Sequence, residues 1–298
     1  MFIRALDTLW YLRLAERVLR RLSAKTHETL AFTAGAVAYM TSPKSRRRVV
    51  RHHQRVASLR PLGILALEHR VIQAYKNYAR YWVSLLVTPS LSKLEIASEA
   101  RVTNLHYLEE VLERGMGALV VSPHIGNWDF GAGWFASRGG RVAAVTEELE
   151  DPDLKEWFWR DRRGMGIEPI YPGKATTASI LGALKDNYVV ALVSDRDITD
   201  TGVEVTLLGE KVQIPGGPAV LSLRSKTPIL PCAIFMTSHL EHNIVFYRPI
   251  YPETIQGSNL KQKVEFLTQL IADAMGDMIH TAPEQWLAFV PLKGEEIP

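Results

Sequence analysis

Cysteine is almost absent from this sequence, since Cys232 is the single one among 298 residues. One thiol cannot form an internal disulfide or a cysteine-based zinc site, and the amino terminus shows no signal peptide, so we expect a protein of the reducing cytosol. Long hydrophobic runs are lacking too, because the best candidate, residues 30–40, has about half the length that a membrane-spanning helix needs. The sequence therefore predicts a chain that does not cross a bilayer but can lie on one.

Motifs of several enzyme classes are also missing. No Gly-x-Ser-x-Gly elbow surrounds Ser122, which argues against a serine hydrolase, and Gly131 and Gly133 do not complete the Gly-x-Gly-x-x-Gly of a dinucleotide site. No histidine, cysteine and carboxylate residues have the spacing of metal ligands; the adjacent His52 and His53 lie in a basic run, where phosphate or solvent is the simpler partner. We therefore expect neither a metal ion nor a bound cofactor.

Positive charge is unevenly distributed along the chain. The formal net charge is only +3, but residues 1–60 contain 13 Lys and Arg against 3 Asp and Glu, whereas the other 238 residues contain 22 against 29. An anionic membrane, a nucleic acid or a solvated helix face can each explain such a bias. The dense run at 44–55 resembles a phosphate-binding segment, but it has no interleaved aromatics and no nucleic-acid motif, so we favour membrane lipid and expect no nucleic-acid partner.

The first 22 residues have the pattern of an amphipathic helix. Apolar residues recur at helical spacing among arginines, and Phe2 and Trp10 are suitable membrane anchors. A helix that packs on the core and exposes its arginines fits the pattern equally well.

The pattern changes near residue 100. Residues 1–99 are helical and basic, and we interpret them as a membrane-docking region. Residues 100–298 alternate short apolar runs with amphipathic stretches, which indicates a central β-sheet flanked by helices in one compact α/β core. The predicted strands are 117–122, 141–145, 167–171, 189–194, 229–236 and 243–247.

A histidine follows the first of these core strands. The stretch S-P-H-I-G-N-W-D places His124 in a strand-to-helix turn and Asp129 about one turn into a predicted helix over 126–136. Catalytic groups favour such turns, and the carboxylate can bind one imidazole nitrogen while the other takes a proton. The bland alternative is an ordinary turn histidine and an aspartate favoured by the helix dipole.

This stretch resembles the His-x4-Asp motif of the glycerolipid and lysophospholipid acyltransferase superfamily, in its bacterial lipid A acyltransferase-like branch. Within that branch the sequence is most similar to the actinobacterial phosphatidylinositol mannoside acyltransferases, and the resemblance covers roughly residues 65–290. The motif of the glycerophosphate branch, Phe-Pro-Glu-Gly, is replaced by S-D-R-D-I-T-D-T-G-V-E-V, which argues against a glycerol-phosphate acceptor. Further segments that resemble the branch are 195–210, 214–224, 228–233 and 283–286.

The resemblance implies an enzyme that transfers a fatty acyl chain from a thioester, usually acyl-CoA as co-substrate, to a mannose hydroxyl of a phosphatidylinositol mannoside. His124 would be the general base, with no covalent intermediate. The same resemblance implies a peripheral protein on the cytoplasmic face of the cell membrane, with an anionic membrane surface as a partner. Two alternatives stay open: an enzyme of the lipid A type that uses acyl carrier protein and another glycolipid acceptor, and a non-catalytic lipid-binding protein.

Two carboxylates compete as the partner of His124. Glu204 resembles the position at which the mannoside branch carries a glutamate that interacts with the catalytic histidine, but an outward-facing acid on an alternating strand fits the pattern as well. One of Asp129 and Glu204 would orient the ring while the other supports the turn.

Four further residues are candidates for substrate binding. Arg160 resembles a position used for the acceptor in the mannoside branch, and Arg196 lies beyond a predicted strand, where it can bind phosphate or pair with its flanking acids. Asn127 and Trp128 belong to the histidine motif, and Trp128 is one of several aromatics, with Phe130, Trp134 and Phe135, that can line an acyl tunnel or belong to the core.

Overall fold

A group of helices begins the protein. The computed structural model describes residues 5–58, 62–146, 151–197 and 202–292. Within these ranges the helices that precede the first strand are α1 (Ala5–Leu19), α2 (Ala24–Thr41), α3 (Pro43–Ser58), α4 (Ile64–Val87) and α5 (Lys93–Ser98). Serine side chains cap two of them: Ser23 Oγ accepts a hydrogen bond from the backbone N–H of Thr26, and Ser92 forms a capping box with Glu95. The helical pattern predicted for the amino-terminal region is confirmed.

A seven-stranded sheet follows. Its strands are β1 (Ala100–Thr103), β2 (Ala118–Ser122), β3 (Val142–Val145), β4 (Ile167–Ile170), β5 (Val189–Val193), β8 (Ile229–Met236) and β9 (His242–Phe246). Their spatial order is β1-β9-β8-β2-β5-β3-β4, with all neighbours parallel except the antiparallel β8–β9 pair. A separate antiparallel hairpin is formed by β6 (Val203–Leu207) and β7 (Glu210–Ile214).

Helices cover both faces of the sheet, as the alternating pattern predicted. The covering helices are α6 (Leu105–Glu113), α7 (Trp128–Ser137), α8 (Pro152–Gly164), α9 (Thr176–Lys185), α10 (Gly217–Ser225) and α11 (Leu260–Thr281). Residues of β2 alternate between the two layers. Leu119 and Val121 lie in the core cluster that includes α9, α10 and α11, and Ala118 lies in the cluster that includes α6 and α7.

Helix α4 connects the amino-terminal helices to the sheet region. Helices α2 and α4 approach each other closely at the buried Gly35 of α2, since a Cβ atom there would lie 2.6 Å from the Cα of Lys76 on α4. On α4, Tyr81 and Ser84 are buried and form hydrogen bonds with side chains of the β2–α7 region. The amino-terminal helices therefore carry part of the surroundings of His124.

The basic segment 44–55 lies within α3, and part of it faces the protein interior. His52, His53 and Arg55 are buried, and Arg55 forms an ion pair with Glu210 of the β6–β7 hairpin at 2.5 Å. The expectation that phosphate or solvent surrounds the two histidines is therefore wrong for this fold, because one face of α3 packs against the core.

Among the residues that the structure describes, no helix combines the length and the apolar composition needed to cross a bilayer.

Candidate active site

The turn after β2 holds His124 in a fixed place. Gly126 adopts φ +59, and a Cβ atom there would lie 1.7 Å from the carbonyl oxygen of Ile234, so only glycine fits. The turn also pairs with the segment before residue 288: the N–H of Gly126 donates to the carbonyl of Gln285 at 3.0 Å, and the N–H of Leu287 donates to the carbonyl of His124 at 2.7 Å. The backbone of the histidine is therefore held from both sides.

Asp195 binds the imidazole of His124. Its Oδ1 lies 2.6 Å from His124 Nδ1, and its Oδ2 accepts hydrogen bonds from the backbone N–H of His124 at 3.1 Å and from the indole N–H of Trp286 at 2.9 Å. Strand β5, which precedes Asp195, is the hydrogen-bonded neighbour of β2, which precedes His124. The two residues thus meet at the carboxyl edge of adjacent parallel strands, where α/β proteins commonly bind ligands.

The surroundings of Asp195 keep it ionised. Burial by itself raises the pKa of this carboxyl group, but the His124 ring and the hydrogen bonds from His124 and Trp286 outweigh burial and hold the pKa below its ordinary value of 3.8. An ionised Asp195 accepts a hydrogen bond from Nδ1–H, so the neutral ring carries its lone pair on Nε2. The His124 side chain is 30% exposed.

Asp129 has different partners. Its carboxylate accepts hydrogen bonds from Arg162 Nε at 2.7 Å and from the Tyr81 hydroxyl at 3.2 Å. Burial lowers the pKa of Arg162, but the charge of Asp129 more than compensates and the net shift is upward. Asp129 and Glu204 were the predicted partners of the imidazole, but His124 Nδ1 is hydrogen-bonded to Asp195 instead. Asp129 does not reach the ring because the first turn of α7 directs its side chain toward α4 and α8.

Glu204 lies on the exposed side of the β6–β7 hairpin. Its carboxylate forms an ion pair with Lys211 at 2.8 Å, and both side chains are largely exposed. This is the outward-facing position that the alternating pattern of the strand offered as the second interpretation.

Asn127 and Trp128 differ in their surroundings. Asn127 is buried and caps α7, since its Oδ1 accepts from the N–H of Phe130 at 3.0 Å and its Nδ2 donates to Ser84 Oγ at 2.8 Å. The ring of Trp128 meets the His124 ring edge-on at 5.1 Å and stacks on Tyr81 at 4.6 Å. Trp128 therefore lies beside His124, whereas Asn127 holds the start of the helix.

Arg160 and Arg196, the two arginines predicted to bind substrate, have different surroundings. Arg160 is half exposed and forms ion pairs with Asp161 at 2.7 Å and with Glu16 of α1 at 3.2 Å. Arg196 is partly buried and directly follows Asp195. Arg162, which the sequence analysis did not select, is the arginine bound to Asp129.

A small apolar cavity of about 90 Å³, partly open to solvent, lies between α7 and the sheet. Ser122, Asp129 and Arg162 are its polar lining groups, and the side chains of Trp128, Trp134 and Phe135 line it together with aliphatic residues of β2, β3 and β5. Phe130, the fourth candidate aromatic, instead stacks on the ring of His242 at 3.7 Å.

The sequence profile described as bacterial lipid A biosynthesis acyltransferase matches residues 66–292. The chain belongs to this family. Phosphatidylinositol mannoside acyltransferases of Mycobacterium tuberculosis and Mycolicibacterium smegmatis are 30% and 29% identical to it, each over 72% of this chain and over 67% and 69% of their own lengths. The 1-acyl-sn-glycerophosphate acyltransferase of Thermotoga maritima shares 11% identity, with a TM-score of 0.38 over 78% of this chain and 97% of that chain.

The family resemblance that the sequence motifs indicated is thus confirmed, and the protein is an acyltransferase of the lipid A family. The site brings together the partly exposed His124 ring, the ionised Asp195 that binds it, and Trp128, which contacts the His124 ring and lines the apolar cavity. Asp195 is the residue that sequence reasoning missed. It is the first carboxylate after the buried run 189–194, and that position was the available signal.

Proposed function

We propose that this acyltransferase moves a fatty acyl chain from acyl-CoA to a mannose hydroxyl of a phosphatidylinositol mannoside, with His124 as the general base. The observation that carries the role of His124 is its 2.6 Å hydrogen bond to buried Asp195. The names of the two mycobacterial relatives support the acceptor class.

The reaction follows from the tautomer of His124. The acceptor hydroxyl gives its proton to Nε2 while its oxygen attacks the thioester carbonyl, and the ionised Asp195 stabilises the imidazolium that forms. The tetrahedral intermediate then collapses with cleavage of the C–S bond. The leaving CoA thiolate takes the proton from Nε2, which restores the neutral ring and yields the ester and free CoA.

The apolar lining of the cavity supports a site for the acyl chain there. Its lining is largely apolar, and Trp128 borders both the cavity and the His124 ring. We propose that the chain lies between α7 and the sheet, so that the thioester carbonyl is close to Nε2. Burial of methylene groups there supplies binding energy of about 0.8 kcal/mol per CH₂.

Helices α1 and α2 support a peripheral membrane location. Trp10, Tyr11, Leu14 and Val18 form an exposed apolar stripe on α1, and exposed apolar side chains continue along α2. Exposed Arg13, Arg17 and Arg21 lie among them. Apolar anchors surrounded by cations suit an anionic bilayer surface, and we propose docking at the cytoplasmic face.

An acyl-transfer assay tests the proposal. Purified protein is given palmitoyl-CoA and phosphatidylinositol dimannoside in phosphatidylinositol-containing vesicles, while free CoA and the lipid mass are followed. We expect acylated lipid with the wild type and with His106→Ala, an exposed histidine on α6, but not with His124→Ala. Turnover above a tenth of the wild-type value in His124→Ala would overturn the general-base role.

The family description also favours a second candidate, an enzyme of the lipid A type. A parallel reaction with acyl carrier protein as donor and a lipid A precursor as acceptor tests this candidate. Product in that reaction alone would replace the mannoside acceptor. CoA release without acylated lipid would point to another acceptor.

A further inference from the structure

The segment 283–289 runs beside the catalytic turn and is tied down along its length. Besides its backbone bonds to Gly126 and His124, the Gln285 side chain accepts from the N–H of Met236 at 2.7 Å and donates to the Met236 carbonyl at 2.9 Å. From α4, Asn77 Nδ2 donates to the Glu284 carbonyl at 2.9 Å. The position of this segment relative to His124 is therefore fixed.

Trp286 extends from this segment to the buried face of Asp195. The side chain is 1% exposed, and its only polar atom, Nε1, donates to Asp195 Oδ2 at 2.9 Å. The same oxygen accepts the backbone N–H of His124, while Oδ1 faces His124 Nδ1. The two donors on Oδ2 leave the carboxylate one orientation, in which Oδ1 meets the ring.

The basic helix α3 supports the other side of Trp286. The ring of His52 lies 5.4 Å from the indole at an angle of 31°, and His52 Nδ1 lies 2.7 Å from the carbonyl oxygen of Ala288. Arg48 donates to the Phe289 carbonyl at 2.9 Å. Part of the charge on α3 therefore holds the Trp286 segment instead of facing a ligand.

We propose that Trp286 is a positioning residue of this acyltransferase, whose indole N–H orients Asp195 and limits its basicity so that His124 keeps the tautomer needed for catalysis. This inference rests on the proposed general-base role of His124. Trp286 is not among the described residues that line the apolar cavity. Its loss is thus expected to lower kcat and to leave the KM for acyl-CoA nearly unchanged.

Removal of the indole N–H is expected to shift the titration midpoint of His124 in one direction, and that shift can be measured. With one donor fewer, the negative charge on Asp195 is less delocalised into hydrogen bonds, so the imidazolium form of His124 gains stability and its titration midpoint moves to higher pH. Other titratable or charged groups around this site are His52 on α3, Asp129 on α7, and Arg196 and Asp197 after β5. The replacements of Trp286 change none of these residues.

The test uses two replacements of Trp286 and a matched control. Trp286→Phe keeps an aromatic ring without the donor, and β-(3-benzothienyl)alanine at position 286 keeps the size of the indole but has sulfur instead of N–H. Trp157→Phe is the control, because Trp157 is also buried and its N–H also binds a carboxylate, that of Glu16 at 3.0 Å. Titration of His124 is followed by NMR on histidine-labelled protein, with His124→Gln to assign the signal.

We expect the His124 midpoint to rise by about half a pH unit or more in both Trp286 replacements and to stay unchanged in Trp157→Phe. We also expect kcat to fall about tenfold to a hundredfold. An unchanged midpoint in the benzothienylalanine protein would overturn the inference even if Trp286→Phe fails to fold.

The titration also separates this inference from the proposed function. A shifted midpoint in a protein whose acyl transfer does not depend on His124 would retain the positioning role and reject the general base. Acyl transfer that depends on His124, with no shift of its titration midpoint, would retain the general base and reject the positioning role of Trp286.

Discussion

At the scale of single residues, two buried aspartates near Trp128 have opposite kinds of partner. Asp195 binds a titratable ring, whereas Asp129 binds the permanently charged Arg162 and the Tyr81 hydroxyl. An aspartate that neutralises a buried guanidinium contributes mainly to stability, because its removal leaves an unpaired charge in the interior. Asp195 is therefore the carboxylate that binds the His124 ring, whereas Asp129 supports the α7 turn through Arg162 and Tyr81.

Replacement of Asp129 tests this division. In Asp129→Asn, Arg162 loses its counter-charge, so we expect the free energy of unfolding to fall by roughly 3 kcal/mol in urea titrations. Glu204→Gln is the control for loss of a carboxylate, and since Glu204 pairs with exposed Lys211 we expect it to unfold at the wild-type urea concentration. Wild-type stability of Asp129→Asn would contradict the structural role.

The sequence places a residue in the fold where the signal is local. His124 is identifiable because a buried run and a proline precede it and a capped helix follows. Asp195 is 71 residues away, and its contact with His124 exists only because β5 adds to the sheet next to β2. Spacing along the chain favours Asp129, but the direction in which the first turn of α7 points its side chains decides the contact.

At the scale of elements, α3 shows how charge in a sequence divides between surface and interior. Arg47 is exposed, whereas Arg48 and Arg55 bind the carboxyl-terminal segment and the β6–β7 hairpin, and His52 and His53 are buried. A net charge cannot reveal this division, because it depends on which helix face meets the core.

His53, one of the two buried histidines of α3, makes stability depend on pH. Burial lowers the pKa of His53 from 6.5 to about 3, and the charges of Arg70 and His52 add to the effect. Between these values the unfolded chain binds a proton that the folded protein does not, so stability falls as the pH decreases, by up to about 1.4 kcal/mol per pH unit.

We expect His53→Leu to reduce that dependence. Between pH 6.5 and 4.5 the variant is expected to lose about 2 kcal/mol less unfolding free energy than the wild type. Urea titrations at the two pH values measure the difference, with His69→Leu, on the exposed side of α4, as the control that keeps the wild-type dependence. Equal pH dependence in His53→Leu and the wild type would show that His53 is protonated in the folded state.

The strands were predictable to different degrees. The six apolar runs correspond to β2, β3, β4, β5, β8 and β9, whose residues are mostly buried. Strands β1 and β7 were missed, because β1 has four residues with every second one exposed and β7 begins with two exposed charges. The α7 helix begins at Trp128 instead of residue 126, since Asn127 is its cap.

At the scale of the whole molecule, apolar and basic side chains concentrate on the amino-terminal helices. Large apolar side chains are exposed along α1 and α2 and at the start of α4, where Ile64 and Leu65 face solvent. The same helices hold α4, which supplies Tyr81 and Ser84 to the surroundings of His124.

Vesicle binding tests the membrane proposal. The double variant Trp10→Ser with Leu14→Ser removes two anchors of α1, and we expect its partition onto phosphatidylinositol-containing vesicles to fall by on the order of tenfold to a hundredfold. The control is Phe266→Ser on α11, which removes an equally exposed aromatic and is expected to bind like the wild type. Sedimentation with vesicles measures both, and equal loss in the two proteins would contradict docking through α1.

The central claim is that His124 and Asp195 act as one base in acyl transfer, and a double-mutant cycle tests it most directly. Turnover of palmitoyl-CoA and phosphatidylinositol dimannoside is measured for the wild type, His124→Ala, Asp195→Asn and the double variant. We expect each single change to lower kcat by on the order of a thousandfold or more, and the double variant to be no slower than His124→Ala. Asp195→Asn with more than a tenth of wild-type turnover, or losses that multiply in the double variant, would contradict the claim.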